Sequence, residues 1–84
     1  MQGLIKVQNP SSGFLNIFFP ESGFRSGRRH FELVNLNGIS ILKEDIDVPE
    51  PNIALPLKYI PFGLYVLSVE HNGEVQKMKV VLSK

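Results

Sequence analysis

Two histidines, four closely spaced acids and three clustered arginines are the groups with which this chain could do chemistry. His30 and His71 have no Cys, Asp or Glu at a spacing that suggests a zinc site, and both read as solvent-facing residues in or beside strands. Glu44, Asp45, Asp47 and Glu50 offer carboxylates for calcium. They lack the dense oxygen ligands and turn glycine of an EF-hand loop, which leaves a solvated acidic link from Lys43 to Glu50. No serine sits in a nucleophile elbow, and Gly23 and Gly27 are not followed by the helix that a phosphate-cradling loop requires. Arg25, Arg28 and Arg29 read as an exposed loop cluster, without the interleaved aromatics that nucleic acid would stack on. The expectation is of no catalytic residue, cofactor, bound metal or nucleic-acid partner.

At 84 residues, 43% apolar and 20% charged, the chain is globular in composition and sized for a single domain over residues 1–84. Its formal charge of +1 creates no global field toward nucleic acid or an anionic membrane. No apolar run approaches the roughly 18 residues that span a bilayer. Met1-Gln2-Gly3 does not open a secretory signal peptide, so any export instruction is expected elsewhere. With no cysteine, no disulfide can staple so small a core.

The elements are short β-type runs separated by turn residues, with no amphipathic helix of useful length. Leu4–Gln8 reads as a first strand stopped by a turn at Asn9, Pro10 and Gly13, and Phe14–Phe19 as a second. A long loop follows from Pro20 to Gly27, then a third strand from Arg29 to Leu36. Asn37-Gly38 predicts a two-residue type I′ hairpin into a fourth strand, Ile39–Glu44. Pro49 and Pro51 break the ladder, and Asn52–Leu57 is a peripheral fifth strand because it contains Pro56. Gly63–His71 and Glu74–Leu82, joined by Asn72-Gly73, are the sixth and seventh.

A period of two assigns the faces. Leu15, Ile17, Phe31, Leu33, Ile39, Ile41, Ile53, Leu55, Tyr65, Leu67, Val69, Met78, Val80 and Leu82 point inward, while Lys77 and Lys79 point to water. The fold class is all-β, an immunoglobulin-like antiparallel β-sandwich of about seven strands. Tyr65 follows Pro61-Phe62-Gly63 at the start of a late strand, where a tyrosine corner would return its hydroxyl to the backbone a few residues upstream.

Four segments, in order, carry a family resemblance. Val7-Gln8-Asn9-Pro10-Ser11-Ser12-Gly13-Phe14-Leu15-Asn16-Ile17 resembles the opening Tyr-Pro-Asn-Pro-x-x-Gly-x-Leu-x-Ile element of the C-terminal sorting domains of the type IX secretion system. Leu33 to Ile41 is similar to the middle element, an apolar strand followed by x-x-Gly-x-x-Val. Pro61 to Val69 is similar to the Pro-x-Gly-x-Tyr strand, and Gly73 followed by Lys79 to Lys84 to the closing hairpin and basic last strand. Gln8 stands where a proline is usual and Val34 where a tyrosine is, and Glu21 to Arg29 lengthens the second connection.

The resemblance implies a signal. Such domains of Bacteroidota direct the folded cargo ahead of them from the periplasm across the outer membrane to the cell surface. The implied partners are the type IX outer-membrane translocon, a β-barrel shuttle protein and a sortase-like cysteine transpeptidase that removes the domain, its cleavage point lying upstream of or within Met1 to Leu4. Recognition is expected on Gly63, Tyr65, Gly73, Lys77, Lys79, Val80, Val81, Leu82 and Lys84. A final strand with no chain beyond Lys84 to cover it implies a homodimer by edge pairing or strand exchange once the cargo is cut away. The alternative is a stand-alone adhesive or carbohydrate-binding module with Phe24, Tyr59 and Phe62 as its stacking surface.

Overall fold

Seven strands form in the order the period of two requires: β1 (Lys6–Ser11), β2 (Phe14–Phe18), β3 (Gly27–Val34), β4 (Ser40–Val48), β5 (Asn52–Pro56), β6 (Gly63–His71) and β7 (Glu74–Leu82). The structure is a computed structural model that describes residues 5–11, 13–57 and 60–82, with backbone only at 9–11. Two antiparallel sheets pack face to face, one in the order β1-β2-β5 and the other β4-β3-β6-β7. This is the expected sandwich, with the proline-bearing β5 at a sheet edge where a missing N–H costs no ladder bond.

The core lies between the sheets. Leu15, Ile17, Leu55, Phe31, Leu33 and Leu67 are fully buried, and Val69, Tyr65, Val80 and Leu82 nearly so. Each alternates with an outward residue, as in β6, where Tyr65, Leu67 and Val69 are inward while Val66 and Ser68 lie on the outer face. Met78 and Ile53 are only half-buried, packed at the margin of this cluster.

The sixth and seventh strands have the expected bounds, and their turn has the expected form. Asn72 (φ 54°) and Gly73 (φ 83°) both occupy the left-handed region, and His71 pairs with Glu74 across a two-residue type I′ loop. The Asn37-Gly38 turn differs. Only Gly38 is left-handed (φ 81°); its N–H donates to the Asn35 carbonyl at 3.0 Å, and Asn35 N–H donates to the Ile39 carbonyl. That is a three-residue loop, a type I turn closed by a glycine. The Asn35 side chain explains the choice, since its Oδ1 accepts from the N–H groups of both Asn37 and Ile39.

Three further expectations are corrected. Asn9 and Pro10 lie within β1, which runs to Ser11 across a register irregularity after Gln8; the turn is confined to the residues around Gly13, whose carbonyl accepts from Leu57 N–H. An edge position lets a strand hold a proline. Lys43 to Asp47 is not a solvated link but the body of β4, paired along β3 from Leu33↔Leu42 to Gly27↔Val48. Ile39 and Ile41 are exposed, and Leu42, Ile46 and Val48 face the core instead. Once Leu33 faces inward, its partner Leu42 must do the same, and strand alternation turns Ile41 outward.

Candidate recognition surface

The residues expected to carry recognition divide by burial. Tyr65, Val80 and Leu82 face the core, whereas Gly63, Gly73, Lys77, Lys79 and Val81 are exposed. Lys84 lies outside the described residues. Lys77 and Lys79 project from the outer face of β7 as the alternation demands, opposite Ser68 and Val66 of β6. β7 closes the four-stranded sheet and has no strand on its far side among the described residues. Its outer edge therefore offers backbone donors and acceptors beside two ammonium groups.

The opposite edge has the opposite sign. β4 carries Glu44, Asp45 and Asp47, all exposed, against one base, Lys43. Asp45 Oδ1 lies 2.8 Å from His30 Nδ1, a partnership that sequence spacing missed because it is made across strands, His30 sitting directly opposite Asp45 on β3. Arg28 meets Asp47 in the same way at 3.8 Å, a solvent-exposed pair of little energetic weight. Only a strand register could have revealed either contact. Among the described residues no three His, Asp or Glu side chains gather as a metal-binding set.

Arg29 is the main departure from expectation. It is only 6% exposed, with its guanidinium carbon 4.7 Å from the Phe19 ring centre and 4.8 Å from that of Phe24. Its Nη1 donates to the Gly27 carbonyl and its Nη2 to the Arg25 carbonyl. Desolvation lowers its pKa below the usual arginine value, yet the group stays charged at any pH the fold experiences. Two aromatic faces and two carbonyls make a planar cation the natural occupant of this position. The legible signal was the pair Phe19 and Phe24 flanking a loop that ends in arginine.

That packing also withdraws Phe24 from the stacking surface expected of a sugar-binding module. Phe24 is turned onto Phe19 and Arg29, Tyr59 lies outside the described residues, and Phe62 stands exposed at the other end of β6. Beside Arg29 an open groove of about 510 Å³ runs between the β2–β3 loop and the β6–β7 hairpin, with Arg25, His71, Asn72 and Gln76 on its walls. Ile5 lines the same groove, and its N–H donates to Gln76 Oε1, so the chain enters the sandwich at this end.

At the start of β6, the Tyr65 hydroxyl donates to the Pro61 carbonyl at 2.7 Å, the tyrosine corner of an immunoglobulin-like sandwich. The sequence matches the secretion system C-terminal sorting domain over residues 9–83. The chain belongs to this family. It is a type IX secretion sorting domain, and its family consists of sorting signals not known for catalysis. Comparison with curated proteins finds no match. In this sorting domain the matched residues run from the end of β1 through β7 and so take in nearly the whole sandwich.

Proposed function

We propose that this sorting domain carries a folded cargo, joined ahead of Ile5, from the periplasm through the type IX outer-membrane translocon to the cell surface. A β-barrel shuttle protein reads it, and a sortase-like cysteine transpeptidase detaches it from the cargo upstream of or within Met1 to Leu4. The observation that carries this reading is the family match over residues 9–83, embracing the exposed β7 edge with Lys77 and Lys79. Recognition on β7 uses main-chain pairing for affinity and the lysines for orientation. Gly63 and Gly73 shape the two ends of β6 that hold β7 in place, while Tyr65, Val80 and Leu82 act through the core. The free domain pairs with a second copy along the same edge.

The test fuses the chain behind a periplasm-targeted fluorescent reporter in a bacterium with a working type IX system. Reporter accessible to external protease in that strain, and retained inside when the translocon is deleted, is the expected result. Equal display in both strains would remove the type IX route.

A further inference from the structure

The outer face of the four-stranded sheet is graded along the strands. Nearest the β6–β7 hairpin, Asp45, His30, Glu70 and Val75 stand side by side across it; the next row is Lys43, Glu32, Ser68 and Lys77. Beyond these the face turns largely apolar, with Lys79 as its remaining charge. Val34 faces Val66, which faces Lys79, and in the following row Leu64 faces Val81. Leu36, Ile39 and Ile41 of the β3–β4 hairpin border this end and are 71%, 58% and 39% exposed; Val81 is 52% exposed. Five large apolar side chains thus gather toward one end of this face: Val81 on β7 itself, Leu64 on the adjoining β6, and Leu36, Ile39 and Ile41 across β6 at the β3–β4 hairpin. Exposed apolar side chains gathered at one end of a small domain mark an interaction site.

Resting on the sorting reading, we infer that this apolar end is a docking surface for a partner protein that adds an extended segment to β7, lays apolar side chains on Leu36, Ile39, Leu64 and Val81, and sets carboxylates against Lys77 and Lys79. The charge pattern selects acidic groups, since Lys79 and Lys77 are the charges nearest the patch along β7, while Asp45 and Glu70 lie toward the other end. The unpaired edge selects a polypeptide, because only a chain can complete its ladder. Position also separates this surface from the cargo. The chain enters at Ile5, beside His71, and Leu64 lies seven residues away along β6, about 23 Å at the rise of an extended strand. A partner can therefore dock while a folded cargo occupies the entry end. The β3–β4 hairpin thereby joins β7 in recognition.

The test replaces Leu36 with Ser and Ile39 with Thr, far in sequence from β7. Thermal unfolding of the 84-residue chain, display of the reporter fusion, sedimentation of the free chain and flotation with phosphatidylglycerol vesicles are read together. Unchanged melting with display reduced at least ten-fold is expected. Unchanged melting with normal display overturns the docking surface while the sorting reading stands; a wild-type fusion that is not displayed fails that reading itself, and this proposal with it. Self-association or vesicle binding present in the wild type and lost in the variant would make the occupant a second copy or a lipid surface, and overturns the proposal too. Should the double variant melt early, Leu36→Ser alone, at the most exposed of these positions, is read against the same outcomes.

Discussion

The Tyr65 hydroxyl lies 2.7 Å from the Pro61 carbonyl, four residues upstream, and so ties the chain entering β6 to the start of that strand. The ring is 6% exposed and part of the core, so the hydroxyl's bond replaces one that water would make. Tyr65→Phe keeps the packing and removes the donor, leaving a carbonyl at a partly exposed site. The expected loss is about 0.5–1.5 kcal/mol in urea unfolding, with an unchanged m-value. Tyr65→Ala, which also empties core volume, is expected to lose about 3–5 kcal/mol.

Arg29 tests whether a buried cation is structural. Arg29→Lys keeps a charge but gives up the planar fork that reaches two carbonyls and stacks on two rings. We expect it to lose about 1–3 kcal/mol, close to the loss in Arg29→Ala, by chemical unfolding. Full rescue by lysine would mean that charge alone matters there.

The register of β4 makes a paired prediction. Ile41→Thr, on the outer face, is expected to change stability by no more than about 0.5 kcal/mol. Leu42→Ala, half-buried against the core, is expected to cost about 1–2 kcal/mol, below the range for a fully buried leucine. Equal losses in thermal melts would contradict the observed pairing of Leu33 with Leu42.

That pairing also shows how far the sequence could be read. Alternation alone placed Leu15, Ile17, Leu33, Leu67 and Val80 in the core, and the bounds of β6 and β7 followed from Gly63 and the Asn72-Gly73 turn. Hydrophobicity weighed strand by strand misplaces Ile39 and Ile41, which are exposed. A hairpin closing Leu36 on Ile39 already pairs Leu33 with Leu42, which turns Ile41 outward. The β4 body was hidden for a different reason: carboxylates on an exposed edge strand look like a loop, although they serve to keep other strands away. Arg29, His30 and Asp45 depended on neighbours distant in sequence, where local spacing carries no signal.

Self-association should respond to salt. Any antiparallel pairing of two β7 edges about the middle of the strand brings Lys77 or Lys79 of one copy near a lysine of the other. We expect the free domain to dimerise weakly at low salt and more tightly at high ionic strength, as screening removes the repulsion. Sedimentation equilibrium at about 0.02 and 0.5 M salt, bracketing the ionic strengths over which the Debye length falls from tens of ångströms to a few, reads the difference. A dimer that dissociates on adding salt would point instead to pairing of β7 with the acidic β4.

Lys79 separates signal from scaffold. Its side chain is exposed on the outer face beside Val66, so Lys79→Glu removes no core contact and is expected to shift stability by no more than about 0.5 kcal/mol. Truncating the strand from Val80 onward is different in kind. It deletes Val80 and Leu82, both buried, at a cost of several kcal/mol, about 2–5 for each large aliphatic lost, and failed display would then merely report an unfolded domain. The informative comparison is between charge reversal and the neutral Lys79→Gln, each measured by thermal unfolding and by protease-accessible reporter. If a partner's carboxylates meet this position, Lys79→Glu lowers display more than Lys79→Gln while both melt as the wild type does. Equal, full display of all three would remove Lys79 from the signal and leave β7 to act through its backbone edge alone.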